Sequence, residues 1–259
     1  MDLYVGCSGW SYSAWEGHFY PKGLAAKGYL KYYSQVFDFV EIDSSFYHAP
    51  TPLMATRWRK MTPDNFRFTV KVPKSVTHDK RLGARSDDDL YYIHNAMAQF
   101  GPKLGCILFQ LPPSLTMKEG LKKLQSLPFD KRFRYAVEAR HKSWFDDEVY
   151  SFLKKNDICL AWSQLAEIQT PPVVTTDFVY LRFIGDRSIP QEEFGRIQKE
   201  RNEEMKYWAD IILNKQVDSG FVPANNHYAG FGPATANEFR KMVGLEPVVW
   251  EEMEQTRLD

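Results

Sequence analysis

Arg134-Tyr135-Ala136-Val137-Glu138-Ala139-Arg140-His141-Lys142-Ser143-Trp144 is the stretch on which the reading of the chain turns. Tyr135, Ala136 and Val137 suit a strand, and no breaker interrupts them. Glu138, Arg140 and His141 then arrive where the strand should end. Alternation places Glu138 and Arg140 on one face, with Ala136 below them. A helix is expected to start near Asp146. A strand that turns ionisable at its C-terminal end, just before a helix, marks a site at the mouth of an α/β fold. The plainer alternative is a strand end carrying a structural ion pair, and recurrence of the pattern along the chain weighs against it.

Outward from this stretch, apolar strands and helical patterns alternate. Strands are expected at Leu3–Ser8, Phe39–Ser45, Phe66–Pro73, Gly105–Pro112, Ile158–Ser163, Phe178–Gly185 and Ser219–Asn226. Pro223 argues against a central position for the last of these. Helices fit Leu24–Val36, the segment opened by Thr51-Pro52, the run after Ser86, and the one marked by Leu121, Leu124 and Leu127. Others fit the run ending near Asn156, a long polar stretch from Gln191 to Asn214, and Ala234–Val243. The segment after the sixth strand, with Pro171-Pro172, has no helical pattern. Eight strands alternating with helices over 259 residues fit a single-domain TIM-type (β/α)8 barrel over residues 1–259; a doubly wound open sheet is the alternative.

Hydrophobic residues make up 44% and charged residues 25%, which gives ample core. Formal net charge is +0, so no global field draws the chain to nucleic acid or membrane. Cys7, Cys106 and Cys159 each sit in an apolar strand-like run, as buried reduced thiols do, and no zinc-type cysteine pair is present. The chain enters a strand by Leu3, without room for a signal peptide, and no apolar run approaches the ~20 residues that span a bilayer. A cytoplasmic protein without a membrane partner is expected. Nothing in the sequence sets an oligomeric state.

Several segments, taken together and in order, resemble a known family. They are Gly6 to Tyr12 with Trp15 and Phe19 to Pro21; Val40 to Tyr47; Phe68 to Pro73 with Thr77-His78 and Arg81-Leu82; Phe109 to Pro113; and Val137 to His141 with Ser143-Trp144. This set resembles the YecE-like family, domain of unknown function 72, over nearly the whole chain. The resemblance implies a TIM-barrel architecture and assigns no chemistry. One departure is Asp43, where that family often carries Asn.

In a TIM barrel the site lies at the C-terminal ends of the strands. That end should gather Ser8, Glu41, Asp43, Lys71, Gln110, Glu138, Arg140, His141, Arg182, Asn225 and Asn226. Unpaired burial of such groups costs several kcal/mol or more each, so they should pair. Either they form a self-satisfied network filling the barrel, or they form a preorganised site. On the second reading Glu138 is the leading catalytic carboxylate, with Glu41, Lys71 and His141 as further catalytic candidates. Desolvation would raise the Glu138 pKa as a general acid requires, whereas nearby Lys71 and Arg182 would lower it as an anchor requires. His48, His78, His141 and His227 follow strand ends, but without a metal-binding spacing, and no metal ligand is assigned. The cofactor is unknown, because no Walker or Rossmann motif is present. Trp10, Tyr12, Trp15, Tyr47 and Trp144 are expected to rim the mouth. Beside them runs a basic loop of Lys74, His78, Lys80, Arg81 and Arg85. Basic groups suit a phosphate or carboxylate, and aromatic groups suit a sugar or base face. The reading is an enzyme using general acid–base chemistry on a small anionic ligand, with a hydrolase, lyase or isomerase reaction left open. The alternatives are a nucleic-acid binder or metal-dependent nuclease, and a non-catalytic partner-binding protein.

Overall fold

The computed structural model describes residues 1–83, 86–165 and 167–250. Its strands are β1 (Asp2–Ser8), β2 (Phe39–Ile42), β3 (Arg67–Lys71), β4 (Leu104–Gln110), β5 (Tyr135–Glu138), β6 (Ile158–Leu160), β7 (Trp162–Gln164), β8 (Phe178–Phe183) and β9 (Ser219–Ala224). Every ladder is parallel, in the order β6-β5-β4-β3-β2-β1-β9-β8-β7. β6 and β7 are two halves of the sixth expected strand, separated by Ala161. The first half pairs with β5 and the second with β8, so the sheet closes through this strand. Closure excludes the doubly wound open sheet and gives a TIM-type barrel. Pro223 is accommodated because the β8–β9 ladder passes over it, from Tyr180–Phe221 to Phe183–Ala224.

Around the barrel run α1 (Tyr29–Val36), α2 (Pro52–Met61), α3 (Ser86–Ala98), α4 (Met117–Ser126), α5 (Asp147–Lys155), α6 (Asn202–Leu213), α7 (Asn226–Ala229) and α8 (Gly232–Met242). Their starts follow local chemistry. Thr51 accepts from Met54 N–H with Pro52 in the first turn, Thr116 and Glu119 form a capping box, and Asp146 accepts from Glu148 N–H. No helix among the described residues is long and apolar enough to cross a membrane.

Two helix expectations need correction. α1 begins at Tyr29, after a 3-10 turn over Ala26–Gly28. The long polar helix expected from Gln191 is instead a 3-10 turn at Gln191–Glu193, a loop, and then α6 from Asn202. The loop is held by other contacts: Phe194 is buried edge-on against Tyr12 and His227, and Gln198 and Lys199 N–H both donate to Ala229 O.

Strand alternation sorts two cores. Val40, Ile42, Phe68, Val70, Ile107, Phe109, Val137 and Leu181 point outward under the helices. Phe39, Cys106, Leu108, Ala136, Cys159, Ala161, Phe178, Tyr180 and Phe221 fill the barrel interior, with Tyr4 packed against them. The interior is therefore apolar toward the strand starts and becomes charged toward their ends. All three cysteines are free and buried.

β1 and β2 approach closely at Gly6, where a Cβ would lie 2.2 Å from Phe39 O. The Tyr33 hydroxyl bridges the two strands there, accepting from Cys7 N–H at 2.8 Å and donating to Phe39 O at 2.8 Å. Tyr33→Phe keeps the ring and leaves both backbone groups without the bridge. The expected loss is about 1–3 kcal/mol, read as a fall in melting temperature of several degrees. An unchanged melt would show that the bridge is dispensable.

Candidate functional site

Arg182, on the inner face of β8, is the centre of a buried network at the strand ends. Its Nε and Nη2 donate to the two Glu41 oxygens at 2.8 and 2.6 Å, a bidentate pairing, and its Nη1 donates to Glu138 Oε2 at 2.5 Å. Nη2 also lies 3.5 Å from Asp43 Oδ1. Glu41 further accepts from Ser8 Oγ at 2.7 Å and Tyr180 Oη at 2.6 Å. Glu138 accepts from Arg140 Nε as well. Lys71 Nζ donates to Asp43 at 3.1 Å and stands 4.0 Å from the centre of the Phe46 ring. Glu41 and Glu138 are 0% exposed and Arg182 is 1% exposed, so only these pairings offset the cost of burying the charges.

The electrostatics follow the contacts. Burial would push the Glu138 carboxyl up, but Arg140 and Arg182 outweigh it and hold the group at about 2. Burial would also raise Asp43, yet Lys71 and Arg182 keep it below the usual carboxylate range. The Lys71 ammonium moves the other way. Its burial pulls it below the usual lysine value despite Asp43, because its side chain is 5% exposed against 32% for Asp43 and it also feels Arg182. Desolvation opposes the charge on Arg182, but Glu138 and Glu41 hold its guanidinium protonated.

Above the network lies a cavity of about 460 Å³. Its charged wall is formed by Lys71, Arg140, Arg182, Arg187 and Asp43. Tyr12, Tyr47, Trp10 and Phe194 supply aromatic surface, while Gln110, Asn225 and His227 add polar groups. Glu41 and Glu138 lie behind the wall rather than in it. Burial, followed by Arg187, keeps His227 below its usual value.

Of the residues singled out in the sequence, Trp10, Tyr12, Asp43, Tyr47, Lys71, Gln110, Arg140, Arg182, Asn225 and His227 border this cavity. Ser8, Glu41 and Glu138 support it from beneath. Others lie elsewhere. His141 Nδ1 accepts from Ser143 N–H, and the residue faces a neighbouring cavity. His78 packs edge-on against Phe46, one layer away. Arg81 donates to Ser114 and Glu119, tying its loop to the start of α4. Trp144 does not rim the mouth: it is fully buried, its indole donates to Leu115 O, and it occupies the space left by Gly120 in α4. Trp15 is likewise buried and donates to Asn226 Oδ1, which also accepts from Gly232 N–H; Asn226 is thereby a structural joint. Lys80 pairs with Asp89, and Arg85 lies outside the described residues. Among the described residues no three His, Cys, Asp or Glu side chains gather as a metal-binding group.

Arg187, Phe194 and Gln191 escaped the sequence reading. They follow β8, and the helix expected from Gln191 concealed Gln191 and Phe194. Arg187 follows Gly185 at a strand end, a position that offers a signal by the same rule that picked out Arg140.

The family model described as protein of unknown function DUF72 matches residues 4–257. The UPF0759 protein YunF of Bacillus subtilis (strain 168) is 26% identical, covering 94% of this chain and 95% of YunF. The UPF0759 protein YecE of Escherichia coli (strain K12) is 32% identical over 146 residues, 55% of this chain, and that match spans half the length of YecE. A crystal structure of a DUF72 family protein from Thermotoga maritima MSB8 superposes with a TM-score of 0.75 at 32% identity, covering 94% of this chain and 99% of that one. Another from Enterococcus faecalis V583 gives 0.77 at 22% identity, with 94% and 96% covered, and speaks for the fold alone. With a family model matched from β1 to beyond α8, this chain belongs to the DUF72 family.

Proposed function

We propose that the barrel mouth binds a small anionic ligand, a phosphate or carboxylate, and acts on it by proton transfer. The observation that carries this reading is the layering of charge. Lys71, Arg140, Arg182 and Arg187 face one cavity, while Glu41 and Glu138 stand behind it and fix the guanidinium groups of Arg140 and Arg182. Cations held by buried carboxylates are preorganised for an incoming anion. Aromatic surface from Trp10, Tyr12 and Tyr47 suits a sugar or planar ring beside the charged group. Lys71 is the proton carrier that fits best. It borders the cavity, and burial lowers its ammonium below the usual lysine value, the direction that favours proton transfer. Glu138, held ionised at about 2, serves as an anchor rather than as an acid.

Arg187 provides the cleanest test, because it is exposed and forms no ion pair among the described residues. Calorimetric titration with inorganic phosphate and with acetate should show binding of at least one of them. Arg187→Ala should weaken that binding about tenfold or more, the scale of a lost charge-assisted contact. Its melting temperature should stay within about 1–2 °C, as for other surface changes. Equal affinities in the two proteins would remove Arg187 from the site, and absence of binding at millimolar anion would defeat the reading.

A further inference from the structure

We infer that the ligand carries an aliphatic tail on its anionic head, and that the tail enters a second cavity beside the first. This rests on the anion-binding reading and specifies its ligand class. The second cavity has a volume of about 540 Å³ and shares Arg140, Ile184 and Arg187 with the barrel mouth. The two guanidinium groups therefore stand at the junction, where a head group can meet both. Arg140 spends its Nε on Glu138, and its terminal nitrogens make no hydrogen bond among the described residues. Arg187 holds a left-handed backbone conformation, φ +58°, which an arginine adopts at a cost.

Beyond the junction the chemistry changes. Leu165, Ile168 and Ile184 form an apolar cluster of their own, packed with Phe145 and separate from both main cores. All three also line the second cavity. Asp186, the acidic residue next to Arg187, is neutralised by Lys199 at 2.9 and 2.7 Å, which leaves Arg187 available to an anion. A charged junction opening onto an apolar floor matches a phosphate or carboxylate with an alkyl chain of several carbons.

Calorimetry on the full chain tests this with two pairs of probes, inorganic phosphate against hexyl phosphate and acetate against hexanoate. In whichever pair binds, the hexyl or hexanoyl member should bind at least about tenfold tighter, since several methylenes leave water. Ile168→Trp, which fills the second cavity, should erase that gain and leave the short anion unaffected. Ile168→Ala should reduce the gain severalfold, and it serves if the tryptophan variant does not fold. Equal affinity for long and short members overturns the tail while the anion site stands. A gain that persists in both variants also overturns it, because the chain then lies elsewhere. If no probe binds, the anion site itself falls, and the tail with it.

Discussion

Arg182→Met should unfold the protein or lower its melting temperature by more than about 10 °C. Arg182 supplies three short bonds to two fully buried carboxylates and faces a third carboxylate at 3.5 Å. Methionine fills similar volume and supplies no charge. Removing one partner of a single buried pair costs about 3–5 kcal/mol. Here Glu41 loses its main partner and Glu138 loses one of its two guanidinium partners, so the loss approaches the roughly 5–15 kcal/mol by which a domain is stable. Glu41 keeps Ser8 and Tyr180, and Glu138 keeps Arg140, which is too little for two ions out of water. Adding Glu41→Gln and Glu138→Gln to Arg182→Met should restore much of the stability, because neither fully buried carboxylate then remains unpaired, and Arg140, which loses Glu138, has a side chain 15% exposed and borders the cavity. Circular dichroism melts of the single and triple variants decide the matter. A single variant that melts within a few degrees of the parent would show that the network carries little energy.

Glu138→Gln should cost roughly 3–5 kcal/mol near neutral pH, and it should also change how the protein responds to acid. The carboxyl titrates at about 2 in the fold against the usual 4.5. A depressed folded value means that its contribution is present above about pH 4.5. Between about pH 4.5 and 2 the unfolded chain binds the extra proton, so the contribution drains away as pH falls. The slope from this one group is about 1.4 kcal/mol per pH unit. Urea unfolding at pH 5 and at pH 3 should therefore show parent and variant converging in acid. Parallel curves, with the same gap at both values, would mean that Glu138 is not held ionised by Arg140 and Arg182. A variant as stable as the parent at pH 7 would return Glu138 to the catalytic candidates.

The barrel was legible because period-two alternation is strong in its strands. Val40 and Ile42 against Glu41, or Tyr135 and Val137 against Ala136 and Glu138, identify the inner face from the sequence alone. The membership of the charged network was legible for the same reason. Its pairings were not, because Arg182 and Glu41 are 141 positions apart and meet only through closure of the sheet. Loops carried the errors. Trp144 and Arg81 follow strand ends as Arg140 does, and only the tertiary partners Leu115, Ser114 and Glu119 remove them from the mouth. The stretch from Gln191 has a helix-like composition, but burial of Phe194 against Tyr12 and His227 keeps its first half as loop. Gly120 in α4 makes room for the Trp144 ring, but a lone glycine in a helix does not say which side chain will fill the space.

The three buried cysteines have a practical consequence. Burial pushes the thiols of Cys7, Cys106 and Cys159 far above their usual range, so at neutral pH they are both shielded and protonated, and poor nucleophiles. The native chain should therefore remain largely unmodified by maleimide reagents while folded. Tyr47 is 65% exposed and borders the cavity. A thiol introduced there by Tyr47→Cys would accept a fluorophore selectively without removal of any native cysteine, placing an optical reporter at the lip of the barrel, where ligand screening by emission change can begin.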